Sequence, residues 1–217
     1  MGDFFNFDNK LFQGLGKLVD CVALSMMWLA ACIPIFTVGA ATTALYYTVN
    51  KVIRHGRGYV WQEFWHAFRS NFKQATVIWL ICLLLMAFMG GDCYIMLQYA
   101  KAGEPIGSLY VVFAIFLVLL FVWQGYLFPY IARFEIGTKQ AFKNSALIAV
   151  ANLPWSLLLL VLIAAVCFIA WLLPLAAMIL PGVYMLIANL ILERVFRKYM
   201  TEEDIAAEEE RNQEFYN

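Results

Sequence analysis

The stretch LIAVANLPWSLLLLVLIAAVCFIAWLLPLAAMILPGVYMLIANLIL, residues 147–192, runs for 46 residues without one charged side chain. A helix crosses the hydrocarbon core of a bilayer with about 20 apolar residues, so this run is too long for a single crossing. Trp171 and Pro174, with almost nothing polar between them, mark a tight hairpin that divides it into helices over about 150–171 and 173–192. Working outward, the segments at about 18–39, 75–98 and 108–130 are also apolar and long enough to span. The expected fold is an all-α integral membrane protein. It is a bundle of five transmembrane helices in a single domain over 1–198, with an acidic cytoplasmic tail over 199–217.

Composition agrees. Hydrophobic residues make up 64% of the 217 and charged residues 14%, with a mean hydropathy of +0.74. A soluble domain has about 45–50% apolar and about 25% charged residues, and a water-soluble fold could not cover this much apolar surface. The net charge is +0, and without clustered excess Lys and Arg there is no footprint for nucleic acid. The five cysteines, Cys21, Cys32, Cys82, Cys93 and Cys167, lie in or at the ends of apolar stretches with no CxxC pair. They read as small buried apolar residues.

The placement of charge sets an expected orientation. Lys51, Arg54, Arg57, Arg69 and Lys73 fall between the first two spans. Arg133, Lys139 and Lys143 follow the third, and Arg194, Arg197 and Lys198 follow the fifth. Lys101 is alone in its loop and the hairpin at Pro174 has no charge. Short loops rich in Lys and Arg stay in the cytoplasm, which puts the C-terminus inside and, with an odd number of crossings, the N-terminus outside. Residues 40–54 either extend the first helix or form a further short crossing. The lead-in, with Phe4, Phe5, Phe7, Leu11 and Phe12 among Asp3, Asp8, Lys10 and Lys17, lacks the basic start and cleavage site of a secretory signal. It reads as a short interfacial helix capped by Asp8 or Asn9.

A second amphipathic helix is expected over about 59–73. At 3.6 residues per turn, Val60, Trp61, Phe64, Trp65, Phe68 and Phe72 share one side, and Gln62, Glu63, His66, Arg69 and Lys73 the other. The aromatic face can lie in the headgroup layer with Arg69 and Lys73 toward anionic lipid, dock into a partner, or pack on the protein's own helices. Glu63 and His66 have a metal-ligand spacing, but such sites need two copies and the other histidine is His55, so no metal is expected. No cofactor, nucleophile elbow or phosphate loop is evident either, and the protein is expected not to be an enzyme. Asp20 and Asp92 sit near segment ends; Gln124, Asn152 and Asn189 lie deeper, as uncharged partners for cross-helix hydrogen bonds.

The stretch from Pro34 to Tyr47 combines a helix-kinking proline with small residues, among them Thr37, Gly39, Ala40, Thr43 and Ala44, spaced so that another backbone can approach closely. Ala67-Phe68-Arg69-Ser70-Asn71 and Ala141-Phe142-Lys143-Asn144-Ser145 each precede a helical hairpin, in the manner of an internal repeat. The tail carries Glu202, Glu203, Asp204, Glu208, Glu209, Glu210 and Glu214 against Arg211, with Thr201 as a helix cap.

Phe4-Phe5-Asn6-Phe7-Asp8-Asn9-Lys10-Leu11-Phe12, the Pro34–Tyr47 stretch and Asn71-Phe72-Lys73-Gln74-Ala75-Thr76 together resemble the YesL-like proteins, a domain of unknown function. These are bacterial membrane proteins, mainly of Gram-positive lineages, whose genes often stand beside components of carbohydrate ABC importers. The resemblance implies an accessory or interaction subunit in the cell membrane, with membrane lipids and importer permease subunits as partners. It supplies no catalytic residues. The alternative class is an independent small-solute transporter or channel.

Overall fold

In the computed structural model the described residues are 10–134, 136–202 and 205–206, and every regular element among them is helical. The residues before Lys10 and most of the acidic tail lie outside the described residues.

Helix α1 spans Lys10–Cys32 and stops two residues before Pro34, which has no N–H to continue it. The helix expected over 18–39 is therefore two elements. After a short 3-10 turn at Ile35–Thr37, α2 covers Val38–Thr48 and runs on into a π-helical turn at Val49–Arg54. Thr37 holds the corner: its hydroxyl lies 2.6 Å from the Ala31 carbonyl, which the end of α1 leaves without a helical donor, and 2.6 Å from the Pro34 carbonyl, which also accepts the Thr37 N–H at 2.9 Å. The chain turns back here, since Trp28 Nε1 donates to Thr42 Oγ1 at 3.3 Å and α1 also packs on the π-helical turn.

Helix α3 is the largest departure from expectation. It runs unbroken over Val60–Lys101, joining the amphipathic segment and the second span into one rod of 42 residues. At 1.5 Å per residue it is about 60 Å long, about twice the thickness of a hydrocarbon core. No proline or glycine interrupts the stretch around Lys73, Ser70 and Asn71 turn their side chains back to the Ala67 carbonyl within the helix, and change of composition alone does not end a helix. α2 lies antiparallel to α3, with Gly39 against Ala75 and Trp79 and Lys51 paired with Glu63. Trp79 Nε1 donates to Ile35 O at 2.7 Å, tying the α1–α2 corner halfway along α3.

A 3-10 turn at Pro105–Leu109 leads into α4, Tyr110–Arg133, which returns along α3. Cys93 meets Tyr110 O, Met86 meets Gln124, Trp79 meets Phe128 and Gln74 meets Ile136 O in register. α5 covers Thr138–Ala151 and α6 covers Leu153–Leu172. Asn152, at φ −121° and ψ 46°, separates them, because Pro154 cannot donate back into the preceding turn. The helix expected over 150–171 thus begins at Leu153. The hairpin holds a 3-10 turn at Pro174–Met178, and α7 starts at Leu180 rather than 173 and ends at Arg197. Its start is docked on α1: Gly182 N–H donates to Ser25 Oγ at 2.8 Å, and a side chain on Gly182 would meet the Cys21 carbonyl.

The stretches Val60–Lys101, Pro105–Arg133 and Leu153–Leu172 are long and apolar enough to cross a membrane. Their apolar side chains point outward: Leu84 and Phe88 on α3, Phe116 on α4 and Phe168 on α6 are all more than half exposed. That surface fits lipid and not water, and marks a membrane protein. α2 forms the protein core, with Ala40, Ala41, Ala44 and Leu45 buried against α3, α4, α1 and α7. The pairings gather Lys51, Arg54, the start of α3, Arg133 and the end of α7 at one end of the bundle.

Candidate functional site at the charged end of the bundle

Glu193 interrupts the apolar side of α7 and is 4% exposed. Its Oε1 accepts a hydrogen bond from the Tyr46 hydroxyl at 2.7 Å and lies 3.2 Å from Arg133 Nε. Four residues earlier, on the same face of α7, Asn189 Oδ1 accepts from Arg54 Nη1 at 3.2 Å. Three elements therefore converge on α7: α2 through Tyr46, the π-helical turn through Arg54 and α4 through Arg133. A buried carboxylate stays charged only when paired and hydrogen-bonded, and removing one partner of such a pair costs about 3–5 kcal/mol. Asn189 Nδ2 is buried without a hydrogen-bond partner.

A second ion pair closes the turn before α3. Lys51 Nζ donates to Glu63 Oε2 at 2.8 Å and to the Tyr47 hydroxyl at 3.3 Å, and sits over the Tyr47 ring. Burial alone would lower the Lys51 pKa, but the hydrogen bonds to Glu63 and Tyr47 outweigh it and hold the ammonium above the ordinary lysine value. Gly58, at φ +81°, lets the loop pass under Glu63, whose Oε1 lies 2.6 Å from where a Cβ would stand. Glu63 is thus engaged by Lys51, while His66 faces outward.

The residues singled out on the amphipathic segment divide between inside and outside. Phe64 is fully buried among the protein's own helices, and Val60 is buried with it. Trp65, Phe68 and Phe72 are half-buried, and Phe64, Trp65, Phe68 and Phe72 form a ladder of ring contacts 5.4–6.2 Å apart along α3. Trp61 is 64% exposed, 5.8 Å from the Trp65 ring, and Arg69 and Lys73 are exposed. Trp61, Trp65, His66 and Arg69 border a surface hollow of about 760 Å³. The Trp65 indole N–H beside it is buried and has no hydrogen-bond partner.

In the Pro34–Ala44 group, Pro34 makes the corner and Thr37 caps it. Ala40, Thr43 and Ala44 are fully buried, and Thr43 Oγ1 donates to Gly39 O at 2.9 Å. A Cβ on Gly39 would stand 2.6 Å from Trp79 Cβ and 2.7 Å from the Ala75 carbonyl, closer than real side chains come. Of the polar residues noted at depth, Asn152 Nδ2 donates to Tyr199 Oη at 2.8 Å and Gln124 Nε2 approaches Met86 Sδ at 3.3 Å. Ala67 and Ala141, the matching positions of the two similar pentapeptides, are both buried, one in α3 and one in α5. All five cysteines are free; Cys21 and Cys82 are buried and Cys167 is exposed.

Sequence reading passed over Tyr46 and Glu193. The available signal was Glu193 itself, a carboxylate directly after the apolar run 147–192 and directly before Arg194, too deep in a helix to be a loop charge. No curated protein and no solved structure matches the chain. Residues 21–93, from the middle of α1 through α2 into the second half of α3, match the family model described as a protein of unknown function, DUF624.

Proposed function

We propose that the protein is a non-enzymatic accessory subunit of the bacterial cell membrane, of the YesL-like kind, which docks on the permease subunits of a carbohydrate ABC importer. One observation supports the docking surface: the segment bearing Trp61 and Arg69 continues without a break into a helix long and apolar enough to cross a membrane. A loose interfacial helix would bury Trp61 in lipid or against its own bundle. Here Trp61 stands exposed at the end of the aromatic face, one turn before Phe64, which is locked into the core with Ala67. An exposed tryptophan next to an arginine and an unsatisfied indole N–H has the composition of a protein-binding hot spot.

In the proposed topology the charged end of the bundle is cytoplasmic and α3, α4, α6 and α7 cross the bilayer. The α1–α2 hairpin enters from the same end, its corner tied to the middle of α3. This replaces the five crossings and external N-terminus expected from sequence, since α2 returns the chain toward Lys51 and Arg54. The basic residues gathered at that end support it. The C-terminus then shares the cytoplasmic side with the start of α1.

Affinity purification in mild detergent, followed by mass spectrometry, tests the function. Importer permease subunits are expected with the native protein and are expected to be depleted with Trp61→Ala or with Arg69→Glu plus Lys73→Glu, at unchanged melting temperature. A lone monodisperse protein contradicts the proposal. Solute flux into liposomes carrying the purified protein alone would favour the competing transporter class.

A further inference from the structure

A long cleft of about 450 Å³ lies inside the bundle, walled by Trp28 of α1, Leu45 of α2, Trp79 of α3, Phe128 of α4, Leu159 of α6 and Met185 of α7. Along α6 its walls run from Leu159 to Ala170, about 17 Å at 1.5 Å per residue. Among the described residues its lining has no charged side chain. Water entering such a space needs several polar partners. Thr42 is already engaged with Val38 O and Trp28, and Gln124 Nε2 with Met86. An empty space of this size would leave its walls without dispersion contacts.

The cleft also has room where a side chain would normally fill it. Gly125 is on its wall, and a Cβ built there meets nothing within 4 Å. Pro129, one turn later on the same wall, carries no N–H, so the Gly125 carbonyl loses its usual helical donor. The Tyr184 side chain lines the same space. The walls formed by Phe121 of α4 and Leu160 of α6 continue into the apolar outer faces of those helices, where Leu119 and Val161 are more than half exposed. The cleft is therefore contiguous with the surface that faces lipid tails.

We infer that this cleft holds one acyl chain of a bilayer phospholipid, entering sideways from the lipid-facing surface at α4 and α6. A long, narrow, uncharged space at membrane depth selects an alkyl chain, and the bilayer is its most concentrated source. The inference rests on α4 and α6 lying in the bilayer and is independent of the docking partner.

Native mass spectrometry of the full-length protein, after exchange into a delipidating detergent, tests it. The native protein is expected to retain one phospholipid, and Val161→Phe on the outer face of α6 is expected to retain it too. Gly125→Phe, which fills the cleft from its open wall, is expected to lose it. Ala170→Phe gives the same reading should Gly125→Phe not fold. In parallel, dibrominated-chain phosphatidylcholine in proteoliposomes is expected to quench a Trp79-only variant more strongly than the same variant carrying Gly125→Phe. Retention of no lipid, of a detergent or free fatty acid mass in its place, or of equal phospholipid in native and filled variants overturns the proposal, as does equal quenching.

Discussion

Glu193 shows why a single buried charge organises the end of the bundle. Glu193→Leu leaves Arg133 facing an apolar side chain and is expected to cost about 3–5 kcal/mol. Tyr46→Phe removes one hydrogen bond to a charged group and is expected to cost about 1.5–3 kcal/mol. The two effects should be clearly non-additive in a double-mutant cycle, measured by denaturation in detergent; simple additivity would mean the hydroxyl and carboxylate are not coupled. Gly39→Leu is expected to lower the melting temperature sharply, because its side chain meets the Ala75 carbonyl and Trp79; unchanged melting would place Gly39 on an open face. Lys51 gives a pH signature. Its pKa is raised in the folded state, so its stabilisation is complete below the unfolded-state pKa and is lost as pH rises through the folded-state one. Lys51→Met should therefore be less stable than the native protein at neutral pH, with a gap that closes in strong alkali; a gap constant with pH contradicts the pairing. The small residues around Gly39 were legible because spacing alone reveals a smooth helix face. Glu193 was not, because its partners come from 60 and 147 residues away in the chain.

At the scale of elements, sequence reading found the apolar segments and misjudged their ends. Hydropathy reports where a helix enters lipid, whereas helix ends depend on proline, caps and tertiary contacts. Pro34 and Pro154 break helices that composition would have continued, and the stretch around Lys73 continues a helix that composition would have ended. Spin labels on exposed positions Gln62 and Gln98 test the continuity of α3. Thirty-six residues of unbroken helix place their Cα atoms about 54 Å apart, and a helix bent at the interface gives a markedly shorter distance by pulsed electron resonance. The period of the amphipathic segment separates its aromatic from its polar residues, but Trp61 of the aromatic set is exposed and Glu63 of the polar set is paired with Lys51. Which aromatic residues turn inward depended on α2 and could not be read from the period alone.

For the whole molecule, membrane character followed from composition, and the proposed orientation rests on basic residues that the fold gathers at one end. The return of the chain through α2 was left open between an extension of the first helix and a further short crossing over 40–54, because Val38–Thr48 is short for a span and its pairing with α3 is a tertiary contact. Cysteine labelling in intact cells, on a cysteine-free background, is expected to modify a cysteine introduced at Lys101 and to spare ones at Arg57 and Lys17; accessibility at Lys17 would restore the external N-terminus. In the proposed complex, a helix anchored across the membrane holds Trp61 out toward a permease subunit. The most direct measurement places a photo-crosslinking amino acid at position 61 in living cells, with position 84 on the lipid-facing side of α3 as the control. A crosslink is expected from position 61 to an importer permease subunit and none to that subunit from position 84. Crosslinks from position 61 only to lipid or to this chain itself would contradict it.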